Sequence, residues 1–158
     1  MNKLTFTQLT ELSHQAQHDS RRRMNHNLHP ELADPIQRLA IAMEPETYVR
    51  PHRHAQTWEL LTALRGRFLV LTFDAEGEVR DRCVLGEEVS VVETGKGVWH
   101  AVLSLDAGGV IFEVKHGPYA PFQAQDLAPW SPMAEEAGHQ SLMDWYRTAN
   151  IGERWPAM

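Results

Sequence analysis

From about residue 37 to residue 116 the chain is a run of short β-type segments with no room between them for a helix. "WELLTAL", "RFLVLTF", "VRDRCVL", "EVSVVE", "VWHAVLSL" and "VIFEVK" are rich in β-branched and aromatic residues, and "DAEG", "LGE", "TGKG" and "DAGG" punctuate them. Parallel strands would need crossovers of about a dozen residues or more each, so the pattern predicts an antiparallel sandwich or barrel. Leu39, Ile41 and Met43 alternate with smaller or polar neighbours and open the series. At 158 residues the chain suits one domain, and a domain of that length buries about 70% of its unfolded surface. The expected organisation is a lead-in over 1–36, a β core over 37–116 and an extension over 117–158.

Both ends read as helical. Thr5 followed by Gln8 forms a capping box, and Leu4 can staple onto Leu9. A helix is therefore predicted over residues 6 to about 19, with Leu9, Leu12 and Ala16 as its apolar stripe. His14 and His18 project from roughly the opposite side and read as a solvated face, although an i, i+4 histidine pair can hold zinc. Arg21, Arg22 and Arg23 follow. They read as complements to the helix dipole or, alternatively, as an anion clamp at the mouth of a site. Ser131 and Pro132, with Glu135 and Glu136 behind them, predict a last helix with Leu142, Trp145 and Tyr146 on its apolar face and a weak point at Gly138.

The formal net charge of −6 argues against a nucleic-acid or anionic-membrane partner, and favours a small molecule. The N-terminus lacks a signal-type apolar core, and no apolar run approaches the ~18 residues of a membrane span, so a cytoplasmic protein is expected. Nine histidines accompany a single cysteine, Cys83, so a metal site would have to use imidazole and carboxylate.

Such a set is present. In "RPHRHAQTWELLTALRG", His52 and His54 are two apart and would share one face of an extended segment, about 7 Å apart along the chain. Glu59 lies on the next predicted strand, and a bend near residues 55–57 could return its carboxylate to the imidazoles. His100 shares a face with Val98 and Val102, where an unpaired imidazole would cost roughly 1 to 3 kcal/mol. Three imidazoles and a carboxylate suit iron, manganese, nickel, zinc or copper, with positions left for water or substrate.

The spacing His52, one residue, His54, four residues, Glu59, six residues, Gly66 resembles the first cupin motif, and "GKGVWH" resembles the core of the second. Gly95 stands where proline is usual and Ser104 where a late asparagine often is; neither is a ligand position. The resemblance implies a small jelly-roll β-barrel with terminal helices outside it and one divalent transition metal at His52, His54, Glu59 and His100. It also implies a homodimer. A closer similarity, carried by "RMNHNLH", "DPIQRLAIAMEPETYVRPHRH", "FEVKHGPYAPF" and "DLAPWSP", is to the WbuC family of cupin-fold metalloproteins, often encoded with surface-polysaccharide (O-antigen) biosynthesis.

Ile111, Glu113 and Lys115 share one face of their segment, so Glu113 and Lys115 are acid/base candidates if that face lines the barrel, with Tyr119 near its rim. An inward Glu113 beside lysine and metal is expected to have a lowered pKa. Arg50, Arg53 and Gln56 read as solvated edge residues, or alternatively as contacts to an anionic substrate. His26, His29, His116 and His139 read as ordinary polar histidines. "GKG" fails as a phosphate loop, since Ser90 and Gly97 occupy the places that loop gives to a glycine and a Ser or Thr. The leading expectation is a metal-dependent isomerase or epimerase acting on a sugar or sugar nucleotide. A metal-dependent dioxygenase and a non-catalytic sugar- or metal-sensing module are the alternatives.

Overall fold

The computed structural model describes residues 1–156. Its framework is two antiparallel sheets built from β1 (Arg23–Asn27), β2 (Ile36–Met43), β3 (Glu59–Arg65), β4 (Phe68–Phe73), β5 (Val79–Leu85), β6 (Val91–Thr94), β7 (Trp99–Ser104) and β8 (Gly109–His116). The larger sheet has the order β1-β2-β8-β3-β6 and the smaller β5-β4-β7. Helices α1 (Phe6–His18) and α2 (Gly138–Thr148) lie at the two ends of the sequence.

Alternation along the strands sorts apolar side chains into three layers. Met43, Leu61, Phe68, Val70, Leu85, Val102 and Ile111 fill the space between the sheets. On the outer face of the larger sheet, Leu9, Leu12 and Ala16 of α1 pack on Ala40, Ala42 and Val110. The smaller sheet turns Leu71, Trp99, Ala101 and Leu103 outward onto Leu142, Met143 and Tyr146 of α2. Each helix thus buries the stripe that is too narrow to form a core alone. The capping box at Thr5 and Gln8 forms as the sequence predicts.

Two local expectations, the start of the last helix and the absence of a strand from the lead-in, need correction. The last helix starts at Gly138, not at Ser131–Pro132, and lacks a side-chain cap at Ala137. Ser131 instead turns its hydroxyl to the Ala128 carbonyl at 2.7 Å. The chain bends at residues 55–56, as expected, and within 50–57 His52 forms a bridge through N–H···O bonds of 3.0 and 2.9 Å exchanged with His100. That pairing continues the smaller sheet beyond β7, and Leu127 pairs with His52 on the far side. Strand β1 lies in what reads as lead-in. Arg21 and Arg22 lie in the turn beyond α1, where Arg22 has φ 57, and Arg23 opens β1.

Candidate metal centre

The four side chains arrive from both sheets. Glu59 opens β3 in the larger sheet, His100 is the second residue of β7 in the smaller, and His52 and His54 come from the segment bridging onto β7. The tight β3–β4 turn needs Gly66 at φ +72, where a Cβ would stand 3.3 Å from the Gly109 Cα. One ligand atom each from His52, His54, Glu59 and His100 lies within 4.8 Å of the others. All are buried except His54, which is half-buried.

Hydrogen bonds fix the imidazoles. A carbonyl can only accept, so the contacts of His52 Nδ1 to Arg50 O (2.9 Å) and His100 Nδ1 to Val98 O (3.0 Å) put the proton on Nδ1 in both rings. This is the outer-shell arrangement that frees Nε2 as a ligand. Glu59 spans the remaining donors, with Oε1 3.0 Å from His54 Nε2 and Oε2 3.1 Å from His100 Nε2. The His100 Nε2 is buried yet has no geometrically sound hydrogen bond. A ring whose proton is already on Nδ1 directs a lone pair at a carboxylate lone pair, which is stable only if the ring gains a second proton or a cation lies between them. A divalent transition metal fits this donor set.

The electrostatics follow from burial and contact. Burial, with the charge of His100 adding to it, holds His52 well below the usual imidazole pKa. For His100, burial works in the same direction but contact with Glu59 outweighs it and raises the pKa. Burial would raise Glu59; close contact with the His100 and His54 imidazoles, with the Lys115 charge, reverses this and holds it well below the carboxylate range.

Glu113 and Lys115 do face the space between the sheets. Their register partners, Leu39 and Leu61 for Glu113 and Gln37 and Glu59 for Lys115, lie on the same inner face. Lys115 Nζ contacts Glu113 Oε1 and lies 3.7 Å from Glu59 Oε1. Without an ion in the site, burial and the charge of Glu59 push the Glu113 pKa up to about 7 despite Lys115, so lysine alone does not produce the expected lowering. Tyr119 is exposed at the rim of a 430 Å³ cavity that His54 and Lys115 also line.

Arg50 and Arg53 are not the solvated edge residues expected. Arg50 is held by the Ser131 hydroxyl and the Ala128 and Ser131 carbonyls at 2.9 to 3.0 Å. Arg53 stacks on Trp99, its guanidinium 4.5 Å from the ring centroid. Gln56 is exposed beside the first cavity. Of the remaining histidines, His29 is buried and accepts the Arg38 N–H at 3.0 Å. His14 and His18 stack at 4.4 Å on the exposed face of α1.

Phe122 carries no motif signal, yet its ring lies 4.6 Å from that of His52 and 5.5 Å from that of His54. It also lines both the first cavity and a second, of 550 Å³, which reaches His52. Proline-rich "HGPYAPF" is the one hint of such a residue in the sequence, because it marks an ordered loop after the final strand.

The family model described as a domain of unknown function, DUF6016, matches residues 4–85. No curated protein matches the chain. Among solved structures, TT1209 from Thermus thermophilus is 14% identical, with 73% of this chain and 97% of that one covered and a TM-score of 0.55. The SPY1581 protein of unknown function from Streptococcus pyogenes is 13% identical over 65% of this chain and 80% of that one, with a TM-score of 0.50. CapF, solved with the inhibitor 3-isopropenyl-tropolone, is 16% identical over 61% of this chain and 28% of its own, with a TM-score of 0.52. At such identities the likeness is one of fold, and the fold is cupin-like. No helix among the described residues is long and apolar enough to cross a membrane.

Proposed function

The chain belongs to the DUF6016 family, a domain of unknown function, so its chemistry must be argued from the site, and we propose that it is a metal-dependent enzyme of cupin fold acting on a small polar substrate. The observation that carries this is the convergence of His52, His54, Glu59 and His100, with Nε2 of His52 and His100 left free by Nδ1 hydrogen bonds to carbonyls. These residues would hold one divalent transition metal. Such an ion supplies Lewis-acid polarisation of a carbonyl or hydroxyl oxygen.

The remaining roles belong to side chains beside the ligands. Lys115 touches both Glu113 and Glu59, so it can orient Glu113 toward the centre and hand a proton to an oxygen at the mouth of the first cavity. Glu113 would take the proton removed from the substrate. Tyr119, in the loop above them, would hydrogen-bond a substrate hydroxyl, and Phe122 would exclude water from the His52 and His54 side. Paired proton donors and acceptors around one metal suit isomerisation or epimerisation. The similarity to the WbuC family supports a sugar or sugar-nucleotide intermediate of surface-polysaccharide biosynthesis as the substrate, in the cytoplasm.

Elemental analysis of protein purified without added metal tests the first step. A stoichiometric transition metal in the wild type, lost from a His54→Ala, His100→Ala double variant, is the expected result. Full metal in that variant would refute the assignment. The second step predicts that Glu113→Gln and Lys115→Met keep near-normal metal content while losing turnover at least about 100-fold, the contribution typical of a positioned acid or base. Redox-active iron with oxygen consumption would favour the dioxygenase reading, and saturable sugar binding with no turnover a sensing module.

A further inference from the structure

The 550 Å³ cavity that reaches His52 is lined by four arginines, Arg21, Arg22, Arg23 and Arg50, against two carboxylates, Glu46 and Glu135. Arg21 lies 3.6 Å from Asp19 and Arg22 lies 3.6 Å from Glu46, so each faces a carboxylate. The guanidinium of Arg50 is anchored on neutral oxygens of Ser131 and Ala128, which leaves its charge unbalanced. Arg23 is half-buried, and among the described residues its side chain makes no hydrogen bond and has no carboxylate within salt-bridge distance.

Backbone geometry puts Arg23 there. Arg22 occupies the left-handed region at φ 57, a conformation that a bulky L-residue rarely adopts. Its carbonyl is held there by the Glu44 N–H at 3.0 Å and by the Thr47 hydroxyl. The next residue opens β1 opposite Met43, on the strand face that continues through Leu39 to Glu113. Arg23 therefore projects from the same inner face as the acid/base pair. Burial lowers its pKa, and the neighbouring Arg21 adds to the lowering, which the charges of Glu113 and Asp19 offset only in part.

We propose that this cavity is an anion subsite in which Arg23, backed by the fixed charge of Arg50, takes the phosphate or carboxylate of a small molecule whose other end reaches the His52 side of the metal centre. This deepens, and rests on, the reading of the centre as a metal-dependent active site. The guanidinium of Arg23 presents its planar fork to the anion and can bind it bidentately, while Arg50, anchored through Nε and Nη2, contributes a fixed charge. The anion then anchors one end of the substrate while the reacting oxygen reaches the metal ligands past Phe122.

Titration calorimetry on the protein as purified, at low ionic strength, tests this with glucose 1-phosphate, glucuronate and glucose as probes. The two anions are expected to bind saturably, with glucose at least about tenfold weaker. Arg23→Gln is expected to weaken both anions by about tenfold or more, and Arg23→Lys by less. Arg154→Gln, which removes the same charge from an exposed pair with Glu78, should change affinity less than about twofold. Circular dichroism melts of each variant establish that it is folded. A phosphate-only response of Arg23→Gln would assign the subsite to phosphate, and a carboxylate-only response to carboxylate. Unchanged affinity in Arg23→Gln, equal binding of glucose, no saturable anion binding, or an equal loss in Arg154→Gln would each overturn the subsite. The metal reading fails separately. If the protein contains no metal but anion affinity still depends on Arg23, the subsite stands and the metal centre falls; if metal is present and the anions are lost only in His54→Ala, the metal holds the anion and the subsite falls.

Discussion

Lys115 stands between two buried carboxylates, Glu59 and Glu113, and the sheet register puts all three on one face. Removing one member of a buried ionic cluster leaves uncompensated charge and costs about 3 to 5 kcal/mol, more than the cluster contributes over an apolar replacement. Lys115→Met is therefore expected to destabilise metal-free protein by about 3 kcal/mol in urea unfolding. With a divalent ion bound, part of the lost positive charge is replaced, so the deficit should shrink. An equal deficit in both forms would argue that Lys115 acts on something other than the carboxylates. At Gly66 the argument is conformational: φ +72 in the β3–β4 turn makes Gly66→Ala strained. A loss of about 1 kcal/mol is expected by the same assay, with metal content unchanged.

At the scale of elements, legibility followed local chemistry. Strands β3, β4, β5, β7 and β8 fall where β-branched and aromatic residues alternate between glycine turns, because that pattern is fixed by neighbours in sequence. Strand β1, "RMNHN", has no such residue and is a strand because β2 offers it a complete ladder from Met43 to Leu39. His52, His54 and Glu59 were legible because their spacing is local, and His100 because an imidazole between Val98 and Val102 needs a partner; the arginine cavity was only an alternative, since it depends on the left-handed turn at Arg22 and on a loop 100 residues later. The direction of the Glu113 pKa escapes a local reading because its two largest causes, burial and the carboxylate of Glu59, come from packing. The start of α2 was misplaced because Ser131 is used by Arg50 and Ala128. Helix α1 supplies a prediction with a local cause. Thr5→Ala removes the hydroxyl that accepts the Gln8 N–H at 3.2 Å and should cost about 1 kcal/mol. If instead Thr5→Ala left unfolding in urea unchanged, the docking of Leu9, Leu12 and Ala16 would be what holds the helix.

For the whole molecule, the candidate centre sits where the two sheets meet. Glu59 belongs to the larger sheet, while His100 belongs to β7 of the smaller and His52 bridges onto it. The apolar layer between the sheets, with Leu61, Phe68 and Val102 in it, gives way at this end to polar side chains: Gln37, Lys115, Glu59 and Thr94 form one row across the larger sheet. The hydroxyl of Thr94 is buried there without a partner among the described residues. Burying such a row contributes less than apolar packing and costs desolvation, so this end of the sandwich is the weaker one without an ion. A cation bound across it would tie β3 to β7, and any ligand that binds only the folded chain stabilises it by mass action, by about 2.7 kcal/mol at a free concentration 100 times its Kd. Chelator treatment should therefore lower the thermal midpoint of the wild type, and adding zinc or manganese back should restore it. His52→Ala should start near the chelated value and respond little to either treatment. A wild-type midpoint indifferent to chelator and metal would mean that the two sheets are held together by the apolar layer alone and that the four ligand side chains are an internal hydrogen-bonded cluster.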